Sequence, residues 1–178
     1  PEVIYSTDIV NPTKYLIVGS VGQGQWATIP WVCIFDRSIT TTATHGIYIV
    51  YLLAKDGNAL YLTLNQGCTD IRASHSKKET IQIMRLQAEE VLNGLDTLGF
   101  SYDDRIDLGS GLTELAELYQ KGTILYKAYL KRNVPDEATL RTDLTNMMRI
   151  YSAYANKQQV GVYDSWEFID AQTTVKRC

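Results

Sequence analysis

The stretch that decides the fold runs from residue 19 to residue 64. It reads Gly19-Ser-Val-Gly-Gln-Gly-Gln-Trp-Ala-Thr-Ile-Pro-Trp-Val-Cys-Ile-Phe-Asp36, a polar loop, Gly46-Ile-Tyr-Ile-Val-Tyr-Leu-Leu53, the turn Lys55-Asp-Gly-Asn58, and Ala59-Leu-Tyr-Leu-Thr-Leu64. The apolar runs are rich in β-branched and aromatic residues and lie between glycines and polar breakers, which predicts three strands of one sheet. Asp56-Gly57 predicts a tight turn that joins the last two strands into a hairpin.

Two of these strands carry a specific expectation. The strand over 27–36 contains Pro30, which lacks the N–H that a strand donates to its neighbour, so we expect an edge strand or a bulge there. The run from Gly46 to Ala54 is apolar almost throughout, which predicts a central strand that is covered on both faces.

The rest of the chain supplies further elements. We predict strands over 13–20, 105–108 and 123–131, a short helix over 112–119, a helix from a Ser76/Glu79 capping box to a stop at Gly99, and a second long helix from Pro135-Asp136 to Tyr151. The predicted fold class is therefore α/β, with a mixed, largely antiparallel β-sheet packed by two main α-helices. We assign 1–156 to one domain and expect 157–178 to be a C-terminal strand or a linker to an effector domain outside this chain.

Composition sets bounds on function. The 178 residues are 45% hydrophobic and 21% charged, which is ordinary for a globular domain. No apolar run approaches the ~20 residues that span a bilayer. Three widely spaced cysteines and two histidines show no metal-ligand spacing, and we expect a reducing, cytoplasmic location. A net charge of −3 argues against broad nonspecific binding of nucleic acid.

Several catalytic patterns can be set aside. The chain has neither a phosphate-binding Gly-x4-Gly-Lys-Ser/Thr loop nor a Gly-x-Ser-x-Gly elbow. Cys33 sits among large apolar residues, so pairing with His45 as a nucleophile is disfavoured against an inert core thiol. The acidic residues of 103–107 fit a solvated loop better than a cation site. Pro135-Asp136 fits a helix N-terminus better than a nuclease metal motif. We predict no catalytic residue, no metal and no cofactor.

The glycine loop and the neighbouring aromatic residues leave two alternatives open. Gly22 and Gly24 provide a loop in which backbone can approach a ligand closely, and Trp26, Trp31 and Tyr48 provide faces for stacking on a flat ring. The same residues also fit a plain hairpin loop beside an ordinary sheet core, and composition alone favours this second alternative.

A resemblance changes this balance. Gly22-Gln-Gly-Gln-Trp26-Ala-Thr-Ile-Pro-Trp31, followed by Gly46-Ile-Tyr48-x-Val50, resembles the N-terminal DNA-recognition domain of McrB-like modification-dependent (type IV) restriction enzymes. The resemblance is clearest over 19–64 and continues more weakly through Tyr119-Gln-Lys-Gly122 to the helix that ends at Tyr151. It implies an α/β module that flips a modified cytosine out of double-stranded DNA into a pocket, as part of antiphage defence.

The resemblance also assigns roles to residues. It places four residues around the modified base, namely Trp31, Tyr48, Leu52 and Tyr119. It implies a DNA-binding surface of Gln23, Gln25, Trp26, Thr41, Thr42, His45 and Lys121. Gln23 stands where a well-known member of the family has an aromatic residue, which is a departure from the family pattern. It bears on which group fills the gap that the flipped base leaves in the duplex. Phosphate contacts would come from cations, for which Arg72, Lys77, Lys78, Lys121 and Lys127 are candidates.

The function that we predict is therefore recognition of 5-methylcytosine, or of a cytosine with a larger C5 modification, without catalysis in this domain. The expected partners are DNA with a modified base and a nuclease or NTPase domain or subunit, and no membrane. Two alternatives remain: an enzyme acting on a small molecule or nucleotide derivative in the same pocket, and a domain that mediates protein assembly.

Overall fold

The fold is a five-stranded antiparallel sheet with two long helices on one face and loops and a short helix on the other. The structure, a computed structural model, describes residues 1–21 and 29–175, with side chains up to residue 159. The strands are β1 (Tyr15–Ser20), β2 (Trp31–Asp36), β3 (Ile47–Leu53), β4 (Ala59–Gln66) and β5 (Thr123–Leu130), and they lie in the sheet in chain order. The helices are α1 (Glu2–Tyr5), α2 (Thr69–Arg72), α3 (Lys77–Leu92), α4 (Glu114–Lys121) and α5 (Glu137–Val175).

The predicted hairpin and the predicted central strand are confirmed. β3 pairs with β4 from Ile47↔Gln66 to Leu53↔Leu60, and the turn places Gly57 at φ +69, a conformation that glycine adopts without strain. β3 lies between β2 and β4 and is buried along most of its length. Its uniformly apolar sequence therefore reflects burial on both faces.

Alternation along the strands creates two separate cores. Ile34, Ile49 and Leu64 face α3 and α5, where they pack against residues that include Met147 and Tyr151. On the opposite face lie Cys33, Phe35, Tyr48, Val50, Leu52 and Tyr61, covered by loop residues and α4 through Ile106, Leu108 and Ala116. The candidate site belongs to this second face.

The helix ends follow local sequence signals. Ser76 accepts a hydrogen bond from the N–H of Glu79, and Glu79 accepts one from the N–H of Ser76, so the predicted capping box is confirmed. The Asp136 carboxylate accepts a hydrogen bond from Thr139 N at 2.8 Å, as expected for a residue at a helix N-terminus. Hydrogen bonding to the side chain and then to the backbone of Thr139 lowers the pKa of Asp136. The fold class is thus confirmed, and every strand pair in the described sheet is antiparallel.

Pro30 does not mark an edge or a bulge, so that expectation was wrong. β2 lies between β1 and β3, and Trp31 pairs in regular register with Ser20 and Leu52. Pro30 precedes the strand, so its missing N–H is not needed in the ladder, and its carbonyl accepts a hydrogen bond from Leu53 N at 3.0 Å.

Three other predicted boundaries need correction. The stretch 105–108 is not a strand. The N–H of Leu108 donates to the side-chain carbonyl of Gln120 at 2.9 Å, whereas in a strand it would donate to a backbone carbonyl of a neighbouring strand. α3 ends at Leu92, well before the predicted stop at Gly99. Just after this end, Gly94 takes φ +77. Between Asn156 and Val175, where the described residues end, the chain forms no strand, because α5 continues to Val175. The role of this segment as a linker stays a prediction.

Candidate nucleic-acid interface

The four residues predicted to surround a modified base line one cavity. Trp31 begins β2 and pairs with Leu52 on β3, and the side chain of Tyr48 lies on the same face of β3. Tyr119 comes from α4 and closes the cavity from the side opposite the sheet. The remaining walls are Cys33, Ala43 and Val50. Residues from three separate parts of the sequence therefore converge on one small aromatic-lined space.

Hydrogen bonds and ring contacts fix these walls. The Tyr48 ring, 1% exposed, packs edge-on against Phe35 with 5.3 Å between ring centroids, and its hydroxyl donates to Ala43 O at 3.3 Å. The carbonyl of Tyr119 accepts a hydrogen bond from the Asn65 side chain at 3.1 Å, which ties α4 to β4. Trp31 and Tyr119 are half-buried, so each presents part of its ring to solvent.

The cavity is small and almost entirely apolar. Its volume is about 10 Å³, which is close to the minimum for a single water molecule. A nucleobase is several times larger than a water molecule, so insertion of a base requires at least one wall to move.

The ionisable groups around the cavity are held neutral. Burial raises the pKa of the Cys33 thiol, and it raises the pKa of the Tyr48 and Tyr119 hydroxyls. A thiol with a raised pKa is a poor nucleophile, which agrees with the inert core role expected for Cys33. His45 bonds to Asp70, with 3.0 Å between Nδ1 and Oδ2, and not to Cys33. An apolar, uncharged cavity suits a planar neutral ring.

The predicted DNA-binding residues divide into three groups. Gln23, Gln25 and Trp26 lie outside the described residues. Thr41 and Thr42 lie in the loop between β2 and β3 that also carries Ala43, so they flank the cavity, and Thr41 is exposed. The third group, His45 and Lys121, does not line the cavity. His45 lines a groove beside α5, and Lys121 lines a cleft beside α3.

The candidate phosphate-binding cations are mostly paired with carboxylates. Lys121 Nζ lies 3.0 Å from Asp104 Oδ2, and Arg72 Nε lies 2.7 Å from Glu114 Oε1. Lys77 pairs with Glu117, and Lys127 pairs with Asp143. Lys78 is exposed and makes no ion pair within the part of the chain that the structure describes. Most of these cations must therefore exchange a protein carboxylate for a phosphate if they are to bind DNA.

The acidic loop serves the protein itself. Asp103 accepts a hydrogen bond from Tyr126 Oη at 2.5 Å, and Asp107 accepts one from Gly109 N at 2.8 Å. Over residues 1–21 and 29–159, no group of three or more side chains is arranged to hold a metal ion. Nor is any described helix both long and apolar enough to cross a membrane.

Comparison with known families decides the relationship. The family model described as "MrcB-like, N-terminal domain" matches residues 1–156. The chain belongs to this family. The resemblance seen in the Ile-Pro-Trp and Gly-Ile-Tyr blocks is thereby confirmed, and this McrB-like domain is a DNA-binding module rather than a catalytic one. No curated protein matches the chain.

Sequence reasoning missed three walls of the cavity. Cys33 and Val50 each lie two residues from a predicted pocket residue on the same strand, so strand alternation alone places them on the same face. Ala43 had no such signal, because a loop residue has no fixed periodicity.

Proposed function

We propose that this domain is the DNA-reading module of a modification-dependent restriction system, and that it recognises a modified cytosine by flipping the base into the cavity beside Trp31. The observation that carries the proposal is the convergence of Trp31, Tyr48, Leu52 and Tyr119 on one cavity within a domain of the McrB-like family. The preferred base is 5-methylcytosine or a cytosine with a larger C5 group.

The energetics of this proposal are consistent with a discriminating reader. Extracting a base from the duplex costs a few kcal/mol, and stacking on an aromatic ring returns about 1–3 kcal/mol. Trp31 and Tyr119 offer such rings, and Leu52 offers an apolar contact. A C5 methyl group adds about 0.8 kcal/mol of apolar burial, which gives preference for the modified base rather than absolute discrimination.

Cleavage of DNA belongs, in this proposal, to a nuclease or NTPase domain or subunit outside these 178 residues, acting in the cytoplasm. The helix α5 continues beyond the matched residues to Val175, and we propose that this continuation links the reader to its effector.

The test is binding to a panel of duplexes that differ at one base. Each duplex carries cytosine, 5-methylcytosine, 5-hydroxymethylcytosine, glucosylated cytosine or N6-methyladenine at a single position, and affinity is measured by fluorescence anisotropy. We expect tighter binding to at least one of the modified cytosines. Equal affinity for every duplex would contradict base reading, and absence of DNA binding would favour a small-molecule enzyme or an assembly domain.

Trp31→Ala tests the cavity assignment. Loss of one stacking surface should reduce the affinity for modified DNA by about 5- to 150-fold, from the ~1–3 kcal/mol that a stacked base contributes, and should abolish the preference for it. Val32→Ala is the matched control, because Val32 is the next residue of β2 and packs into the core on the other face of the sheet. Circular dichroism of both variants checks that the fold is retained. A preference that survives Trp31→Ala would show that the base binds elsewhere.

A further inference from the structure

The cavity beside Trp31 can open only where its walls are free to move. Trp31 and Cys33 belong to β2, and Tyr48, Val50 and Leu52 belong to β3. Each of these strands is hydrogen-bonded to a neighbour on both sides, so moving its backbone would break two ladders. Among the described residues, the walls outside the sheet are Ala43 and Tyr119.

Ala43 lies in a loop whose two ends are anchored and whose middle is weakly held. We call residues 37–46 the threonine loop. At one end, Thr40 N donates to Asp36 O at 3.0 Å, and at the other, Gly46 O accepts from Gly67 N at 2.8 Å. The second end is also tightly packed, because a Cβ on Gly67 would lie 2.2 Å from His45 N.

Between Thr40 and Thr44, whose carbonyl accepts from Asp70 N at 3.3 Å, the loop is stabilised by its own threonines and by one tyrosine. Thr42 N donates to Thr40 Oγ1 at 3.2 Å, and Thr44 N donates to Thr42 Oγ1 at 3.3 Å, so these bonds move with the loop. Of the described hydrogen bonds, the one that ties Ala43 to a strand is the bond from Tyr48 Oη to Ala43 O. At 3.3 Å it is longer than an ordinary hydroxyl hydrogen bond.

We propose that Tyr48 is a positioning residue that acts through Ala43: its hydroxyl latches the threonine loop over the cavity, and a flipped base is admitted when this bond breaks and Ala43 moves outward. The inference rests on the proposed function, since it concerns how the base reaches the cavity. It assigns to Tyr48 a role different from direct contact with the base.

The two roles for Tyr48 predict opposite results for one substitution. Tyr48→Phe keeps the ring and its contact with Phe35 but removes the hydroxyl. If the hydroxyl reads the base, the variant binds modified DNA more weakly. If the hydroxyl latches the loop, the closed state is destabilised, and the variant binds a duplex with one 5-methylcytosine more tightly, by about two- to tenfold for the loss of one hydrogen bond.

A second measurement tests the latch without DNA. Cys33 lines the cavity, so its thiol becomes accessible to iodoacetamide when the loop opens, and peptide mass spectrometry follows its labelling separately from that of the other cysteines. Cys68 is fully buried in a different core cluster and reports opening of the whole domain. We expect Tyr48→Phe to accelerate labelling of Cys33 by about two- to tenfold and to leave the rate at Cys68 unchanged.

Tyr61→Phe is the matched control. Tyr61 lies on the same face of the sheet as Tyr48, and its hydroxyl also bonds to loop backbone, accepting from Asp107 N at 3.3 Å, but Tyr61 does not line the cavity. This control should alter neither the labelling of Cys33 relative to Cys68 nor the affinity for the methylated duplex.

The outcomes separate the latch from the proposed function. If wild-type protein prefers methylated DNA and Tyr48→Phe leaves Cys33 labelling unchanged, the latch is wrong while the base-reading function stands, and Tyr119 becomes the moving wall. Equal acceleration at Cys33 and Cys68, or weaker binding of methylated DNA by Tyr48→Phe, also overturns the latch. If the labelling changes as expected in a protein that shows no preference for modified DNA, the loop is latched but the proposed function fails.

Discussion

Replacing Tyr151 by phenylalanine should destabilise the domain far more than the loss of one oxygen atom suggests. Tyr151 lies on α5 and is 0% exposed. Its hydroxyl accepts a hydrogen bond from Asp36 N at 3.0 Å and donates one to Ile47 O at 2.7 Å. It therefore bonds α5 to the last residue of β2 and the first residue of β3 at once.

The magnitude follows from what the substitution leaves behind. Tyr151→Phe preserves the ring in the core but leaves the N–H of Asp36 and the carbonyl of Ile47 without this partner. A buried polar group without a partner costs about 1–3 kcal/mol, so we expect the free energy of unfolding to fall by about 2–4 kcal/mol. The measurement is urea denaturation of residues 1–178, followed by circular dichroism.

Tyr154→Phe is the matched control, because Tyr154 lies one helical turn further along α5 and is only half-buried. We expect this control to change the free energy of unfolding by less than about 0.5 kcal/mol, as for substitutions away from buried bonds. A loss below about 1 kcal/mol in Tyr151→Phe, or equal losses in the two variants, would refute the reasoning that the hydroxyl links the helix to both strands.

Two further predictions concern pH and salt. Burial raises the pKa of Tyr48 and of Tyr151, and below about pH 10 both are protonated in the folded and unfolded chains alike. Above that pH the tyrosines of the unfolded chain ionise first, so the free energy of unfolding should fall by about 1.4 kcal/mol per pH unit for each tyrosine. Urea midpoints that stay constant from pH 9 to pH 11 would contradict this prediction. Arg72, Lys77 and Lys121 are paired with carboxylates, so few of the candidate cations are free to contact phosphates. Between 50 and 200 mM salt, DNA affinity should therefore fall by much less than the ~10³-fold typical of proteins with many phosphate contacts. A steep slope in a salt titration would show that these ion pairs open on DNA.

The sheet could be predicted from sequence because its signals are local. Alternation along β4 and the turn at Asp56-Gly57 specify a hairpin without reference to the rest of the chain. The Ser76/Glu79 capping box likewise places the start of α3 within a few residues. Periodicity and turn chemistry are sufficient wherever the backbone hydrogen bonds go to neighbouring strands or turns.

The failures arise where side chains replace those backbone bonds. Ile106 and Leu108 alternate like a strand and are both buried. The hydroxyl of Tyr61 and the side chain of Gln120 accept from the backbone N–H groups of Asp107 and Leu108, so no ladder is formed. Apolar alternation reports burial, and it reports a strand only when a neighbouring strand supplies the partners.

Prediction of the cavity from sequence meets a similar limit, because its walls are far apart in the sequence. Trp31 and Leu52 are cross-strand neighbours that follow from the register of β2 and β3, but nothing local places Tyr119 of α4 beside them. That residue came from the family resemblance. Ala43 came from neither source, although it is the wall on which admission of a base depends in our proposal.

The ion pairs of the surface cations bear on how the domain selects its DNA. Arg72 and Glu114, and Lys121 and Asp104, are distant in sequence, so only the fold shows that these cations are neutralised by carboxylates. The stretch 22–28 contains no lysine or arginine, and the chain carries a net charge of −3. Nonspecific affinity for DNA comes largely from cations that displace counterions, so we expect the domain to have little of it. In our proposal, a reader with weak nonspecific affinity gains most of its useful binding energy from the inserted base, and the few kcal/mol available in the cavity then decide where on the DNA it stays.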